Sequence, residues 1–180
     1  MASHGILALG LVVGIGFGVS AKGFATSPPP APASTPAAAA APVSGIADEY
    51  ISLETPLPIK LSKQSESSVV LKFKVAPGFH IQANPASSPQ LIPTSLQMPA
   101  ANNLDVSLPI YPKGKPYRLQ GSSSEISTFD GVVEIKIPVK TAKVSANFNW
   151  KGKLRYQACN EKTCFFPKTL PLDLPVVLDK

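Results

Sequence analysis

The chain contains two cysteines, Cys159 and Cys164, and both lie in RYQACNEKTCFFPK, residues 155–168, with four residues between them. Two thiols so close together can form a structural disulfide, clamp a metal or exchange electrons with a partner thiol. Exchange requires a thiolate and access to it. Arg155, Lys162 and Lys168 lie near in sequence and favour the anion, while Glu161 opposes it. The spacing is not Cys-x-x-Cys and no helix start follows, so a thioredoxin active site is excluded. A zinc site needs four ligands at recognisable spacing. The two cysteines and His80 do not supply them, since the other histidine, His4, sits near the amino terminus. Copper(I) would accept two thiolates, with Met98 as a third ligand, but nothing in the spacing asks for it. We therefore expect neither a metal nor a cofactor.

The residues leave two readings of the pair open. On the chain-entropy model, a bridge closing a ring of about six residues adds only ~2 kcal/mol, roughly half of what a bridge between distant strands gives. A staple is therefore a small gain for a domain with its own core. Direction is the second consideration. In LRYQAC, alternation sets Leu154, Tyr156 and Ala158 inward, so Cys159 is expected to share the outward parity of Arg155 and Gln157. An outward cysteine near a strand end is open to a partner thiol, although one bulge would reverse the parity.

The elements that must position this pair read as strands. VVLKFKV sets Leu71, Phe73 and Val75 against Lys72 and Lys74. LDVSLPI sets Leu104, Val106, Leu108 and Ile110 on one face, and VVEIKIPV does the same with Val133, Ile135, Ile137 and Val139. FNWKGKLRYQA alternates Phe148, Trp150, Leu154 and Tyr156 against polar residues, with a bulge or hairpin expected at Lys151-Gly152. Pro77-Gly78, Asn102-Asn103, Lys113-Gly114 and Asp130-Gly131 supply turn signals between the runs. Short strands at regular spacing, with no helical pattern, indicate an all-β sandwich. His80, in a turn leaving a strand, is expected to be structural. Phe165 and Phe166 differ in parity, so one of them is expected to be exposed beside the cysteines as a docking surface.

Composition divides the chain of 180 residues into three parts. Residues 1–25 hold an uncharged apolar run, Gly5 to Ala21, of signal-sequence length, with Val19-Ser20-Ala21 as a small-residue cleavage site. We read them as a signal peptide or signal anchor, which places the rest outside the cytoplasm. Residues 26–45 are nearly all Ala, Pro, Ser and Thr and read as an extended linker. Residues 46–180 are long enough for one core. The net charge of +6 includes basic clusters in PKGKPYR and WKGKLR. Few aromatics, scarce arginine and the compartment argue against nucleic acid, and solvated strand faces account for the charge.

RYQACNEKTCFFP resembles the cysteine hairpin of the amino-terminal periplasmic domain of DsbD, the thiol:disulfide interchange protein. VAPGFHIQANPASSPQLIPTSL resembles an early part of that domain family. YPKGKPYRLQGSSSEISTFDGVVEIKIPV resembles its middle, where a cap loop precedes a strand pair. Together the likeness runs from Leu53 to Val177. It implies an immunoglobulin-like β-sandwich with an inserted cap-loop and active-site region. It further implies a periplasmic electron relay through a Cys159–Cys164 disulfide, with a DsbD-like membrane electron donor. The acceptors would be disulfide isomerases or thioredoxin-fold proteins of cytochrome c maturation. By this resemblance Cys164 is the attacking thiol and Cys159 the resolving one. Tyr117, Arg118, Leu119 and Gln120 fall in the cap, with Leu119 as the shield over the disulfide and no carboxylate among them, and Phe165 joins them in partner binding. The spacing of four intervening residues departs from the five of well-known members. The chain ends at Lys180 with neither a membrane bundle nor a thioredoxin domain, so we expect a stand-alone, monomeric carrier. The competing expectation is a non-catalytic immunoglobulin-like binding or scaffold module whose disulfide only pins a hairpin.

Overall fold

A computed structural model describes residues 45–63 and 66–179; the leader and the linker up to residue 44 lie outside the described residues. The strands are β1 (Ile51–Leu53), β2 (Ile59–Ser62), β3 (Glu66–Val75), β4 (His80–Gln82), β5 (Ser95–Gln97) and β6 (Asp105–Val106). They continue with β7 (Lys115–Tyr117), β8 (Ile126–Phe129), β9 (Val132–Lys140), β10 (Phe148–Tyr156), β11 (Ala158–Cys159) and β12 (Lys168–Asp179). No helix occurs among the described residues.

Two sheets build the sandwich. The first has the order β1-β3-β9-β6 and the second β2-β12-β10-β5. All pairings in them are antiparallel except that of β12 with β2. The period-two runs form the long strands because each puts an apolar file on one face. Leu71, Phe73, Ile135 and Ile137 are fully buried. The register sets Leu71 opposite Ile135 and Phe73 opposite Val133, so cross-strand apolar pairs lock the alignment. In the second sheet Trp150 faces Leu174 and Leu154 faces Leu170. Side chains of both sheets belong to one core cluster, the layered arrangement expected of an immunoglobulin-like sandwich. On the wet face of the first sheet Lys72 stands opposite Glu134, with Nζ 2.7 Å from Oε1.

Two expectations are corrected. Lys151-Gly152 makes neither bulge nor hairpin, because β10 runs straight through it. Gly152 is instead a place of close approach: a Cβ there would lie 2.2 Å from the Met98 sulfur and 2.6 Å from the Gln97 carbonyl of the neighbouring β5. The run from Leu104 to Ile110 does not keep one face inward. Leu104 is buried, whereas Leu108 and Ile110 are exposed. Strand β6 ends at Val106, and the chain then follows β9 only through Ser107 N–H to the Pro138 carbonyl and a bridge of Ile110 with Lys136. The Asn102-Asn103 turn fits its sequence signal: both residues have positive φ, 48° and 61°, between bridge partners Ala101 and Leu104.

A third sheet, β11-β4-β8-β7, carries the cysteines. Its strands are extensions of the sandwich. β3 turns at Pro77-Gly78 into β4, β8 turns at Asp130-Gly131 into β9, and β10 passes through Gln157 into β11. The core strands thereby set where the site lies.

Candidate functional site

Cys159 and Cys164 are joined as a disulfide. The hairpin between them is short because Asn160 closes it. The Asn160 side-chain carbonyl accepts from the N–H groups of Lys162 and Thr163, both at 2.9 Å, and the Asn160 N–H donates to the Thr163 carbonyl at 2.9 Å. The Phe165 N–H returns to the Ala158 carbonyl at 2.8 Å.

The expected outward direction of Cys159 is corrected: its exposure is 0%. Alternation holds along β10 as far as Tyr156, which pairs with Lys168 of β12. At Gln157 the chain changes sheets, and from Ala158 it pairs with β4, Ala158 opposite Ile81 and Cys159 opposite His80. Ala158 is buried, as alternation expects, but both faces of β11 are covered, so Cys159 is buried too and the outward parity fails beyond Gln157. That residue is the hinge of the change. Its carbonyl accepts from Gln82 N–H at 3.0 Å, its Oε1 accepts from Ile92 N–H at 2.9 Å, and its Nε2 donates to the Phe165 carbonyl at 3.0 Å. Cys164, across the hairpin, is partly exposed.

A buried amide, not a cation, faces the sulfurs. Gln82 Nε2 lies 3.1 Å from Cys159 Sγ and 3.5 Å from Cys164 Sγ. Lys168, expected to favour the thiolate, instead pairs with Glu49 at 3.0 Å and lies 4.5 Å over the Tyr50 ring. Lys162 and Arg155 are exposed. His80 stacks on Tyr117 with centroids 3.7 Å apart. Burial lowers its pKa from the ordinary 6.5, with Lys115 acting in the same direction and Asp130 against it.

Of the residues expected in the cap, Gln120 meets the hairpin, through its backbone. Gln120 N–H donates to the Glu161 carbonyl at 2.6 Å. Arg118 pairs with Glu125 at 3.0 Å, within the loop that joins β7 to β8. Leu119 is half-buried, and its carbonyl accepts from Ser122 N–H at 3.0 Å. Of the two phenylalanines, Phe166 is the exposed one, at 93%. Phe165 is half-buried, stacked on Tyr50 at 5.4 Å and tilted against Phe79 at 6.2 Å. Tyr50, Cys164, Phe165, Phe166 and Lys168 line an open depression of about 590 Å³ on the accessible side of the disulfide.

Gln82, Gln157, Tyr50 and Asp48 were not legible as site residues. Asp48 holds the Tyr50 segment in place: its Oδ1 accepts from Tyr50 N–H at 3.0 Å and Oδ2 from the Tyr156 hydroxyl at 2.5 Å. Burial first, and then that bond to Asp48, push the Tyr156 phenol up in pKa. No sequence signal marked Gln82, because β4 is only three residues long and its burial shows only in the fold. Among the described residues no group of three or more His, Cys, Asp or Glu side chains is placed to hold a metal.

Residues 47–174 match the family model described as the amino-terminal part of the thiol:disulfide interchange protein DsbD. No curated protein matches the chain significantly. Among solved structures, the amino-terminal domain of DsbD from Neisseria meningitidis in its reduced form is 18% identical, over 62% of this chain and 79% of that one, with a TM-score of 0.40. The amino-terminal periplasmic domain of ScsB from Proteus mirabilis is 19% identical, over 71% of this chain and 47% of that one, with a TM-score of 0.43.

Proposed function

The chain belongs to the family of DsbD amino-terminal domains, and from that premise we propose that it is a periplasmic electron carrier working through the Cys159–Cys164 pair. Thiol:disulfide exchange is the chemistry of the family. The finer assignment concerns the route. A thiolate of a membrane-bound, DsbD-like donor attacks Cys164 Sγ, the S–S bond breaks, and the electron pair leaves on Cys159 Sγ. The donor's second thiolate then attacks its own sulfur in the mixed disulfide and releases Cys164. In the forward direction the Cys164 thiolate attacks an acceptor disulfide. Cys159 resolves the adduct by attacking Cys164 Sγ, which restores the bond and frees the acceptor as a dithiol once it takes up protons from solvent. Two electrons pass from donor to acceptor.

The observation that carries this reading is the unequal access of the two sulfurs: Cys159 is buried and Cys164 borders the open depression. A staple has no need of such a difference, whereas a relay needs one sulfur to meet partners and one to resolve. The acceptors are thioredoxin-fold proteins, including disulfide isomerases and those of cytochrome c maturation. Phe166, with Phe165, Tyr50 and Lys168 behind it, forms the docking rim. Tyr117, Arg118, Leu119 and Gln120 form the cap on the hairpin, with Leu119 as its shield. Residues 1–25 direct export, residues 26–45 act as spacer, and the folded part works as a monomer.

Trapping tests the route. Cys159→Ala leaves Cys164 without its resolving thiol and is expected to accumulate a mixed disulfide with a thioredoxin-fold acceptor. Cys164→Ala leaves the buried sulfur alone and is expected to accumulate none. Equal trapping by both variants, or by neither, overturns the assignment.

A further inference from the structure

We propose that Gln82 is a catalytic residue of the exchange, its side-chain amide holding the Cys159 sulfur as a thiolate when the disulfide opens and as a thiol in the resting dithiol. The inference rests on the proposed exchange and assigns the group that serves it. Three observations carry it.

The first is contact. Gln82 Nε2 reaches both sulfurs, at 3.1 and 3.5 Å, with the shorter distance to Cys159. Cys159 is the sulfur that leaves when a partner attacks the accessible Cys164. Negative charge then develops on an atom that is 0% exposed, where water cannot solvate it. A thiolate there requires a donor aimed at it beforehand. Among the described residues no cation donates to either sulfur, and Gln82 is the side chain that does.

The second is fixation. Gln82 is itself fully buried. Its N–H donates to the Gln157 carbonyl at 3.0 Å, and its carbonyl accepts from the Thr94 hydroxyl at 2.5 Å and the Thr94 N–H at 3.3 Å. The backbone is thereby tied on one side to the segment that carries Cys159 and on the other to Thr94. The amide therefore keeps its place when the S–S bond breaks, and little reorganisation accompanies the charge.

The third is an acceptor held in reserve. Gln82 Oε1 is buried and has no hydrogen-bond partner among the described residues. An unpaired buried acceptor is costly. A disulfide has no proton to offer, but a dithiol has two. Once Cys159 is protonated, its own side chain, freed from the S–S bond, can turn its S–H toward the amide oxygen. One amide thus serves both reduced forms, donating N–H to the thiolate and accepting S–H from the thiol, and it favours the dithiol over the disulfide.

The test isolates Cys159 in the full chain. In Cys164→Ala the thiolate absorbance of the remaining cysteine is titrated, with and without Gln82→Met, which keeps the volume and removes the amide. Loss of one hydrogen bond to a charged group is expected to raise the midpoint by about one pH unit, a thiolate fraction about tenfold lower below it. Gln82→Glu, of the same shape, is expected to raise it as well, because a carboxylate repels the thiolate. With both cysteines present, Gln82→Met is expected to lower the equilibrium constant for reduction about tenfold, some 30 mV. An unchanged midpoint in both substitutions overturns the assignment. So does a shift confined to Gln82→Glu, which would reflect added charge and not a lost donor. A shifted midpoint in a chain that fails to exchange with any partner would sink the relay and leave the Gln82 contact standing, so the two failures are distinct.

Discussion

At the scale of single residues, the proposed division of labour between the cysteines rests on burial. The two sulfurs are covalent neighbours in very different surroundings, and the difference comes from one residue, Gln157, which moves the chain from one sheet to another. Nothing in the composition of LRYQAC announces that move. Alternation identified Leu154, Tyr156 and Ala158 as core and failed at Cys159, because in β11 both faces are covered. Gln82 was illegible for a related reason: in β4 both faces are covered, so burial no longer distinguishes apolar from polar positions. His80 offers a test at this scale. Its folded pKa lies below the unfolded value of 6.5, through burial first, with Tyr117 stacked on it and Lys115 and Asp130 as the nearby charges. Between those two values the unfolded chain binds the proton and the folded chain does not. The contribution is present above the unfolded value and is lost as pH falls toward the folded one. Urea midpoints taken from about pH 7.5 down to about pH 5 should fall less steeply for His80→Phe, which keeps a ring on Tyr117, than for the native chain. Parallel curves would mean that His80 is not held neutral by the fold.

At the scale of elements, the site is a small sheet built from the overhanging ends of larger ones. β4 continues from β3, β11 from β10, and β8 leads into β9, so the hairpin inherits its position from the core. The strands β3, β9 and β10 were legible because their apolar files repeat every second residue over seven positions or more, whereas β12, the longest, was not singled out. The short ones were not, since two or three residues carry no period. The turn at Asn102-Asn103 was readable from its residue types, and Lys151-Gly152 was misread for an instructive reason. A glycine in a strand marks either a break in the chain or the approach of something close, and the sequence alone does not distinguish them. Here it is approach. Gly152→Ala sets a methyl group against the Gln97 carbonyl as well as the Met98 sulfur. Backbone cannot swing aside as a side chain can, so the substitution should destabilise the fold by about 1–3 kcal/mol, seen as a lower denaturation midpoint. Loss of β5 from β10 is the expected structural consequence. A neutral result would place the edge strand farther from β10 than the structure has it.

At the scale of the whole molecule, the sandwich supplies rigidity and the disulfide needs little from it in return. A bridge across so short a ring adds only ~2 kcal/mol on the chain-entropy model, while the core joins both sheets in one cluster. The fold can therefore survive opening of the bond, which a carrier that cycles between disulfide and dithiol requires. The fold class was legible from periodicity, and the chemistry from two cysteines in a recognisable hairpin. The inequality of the sulfurs required the three-dimensional arrangement. A disulfide made to be exchanged has a reduction potential to match. Equilibration of the full chain against a thiol redox buffer should give a value between about −180 and −270 mV, among exchange-competent pairs. A value well below about −300 mV would mark a structural bridge and contradict the account.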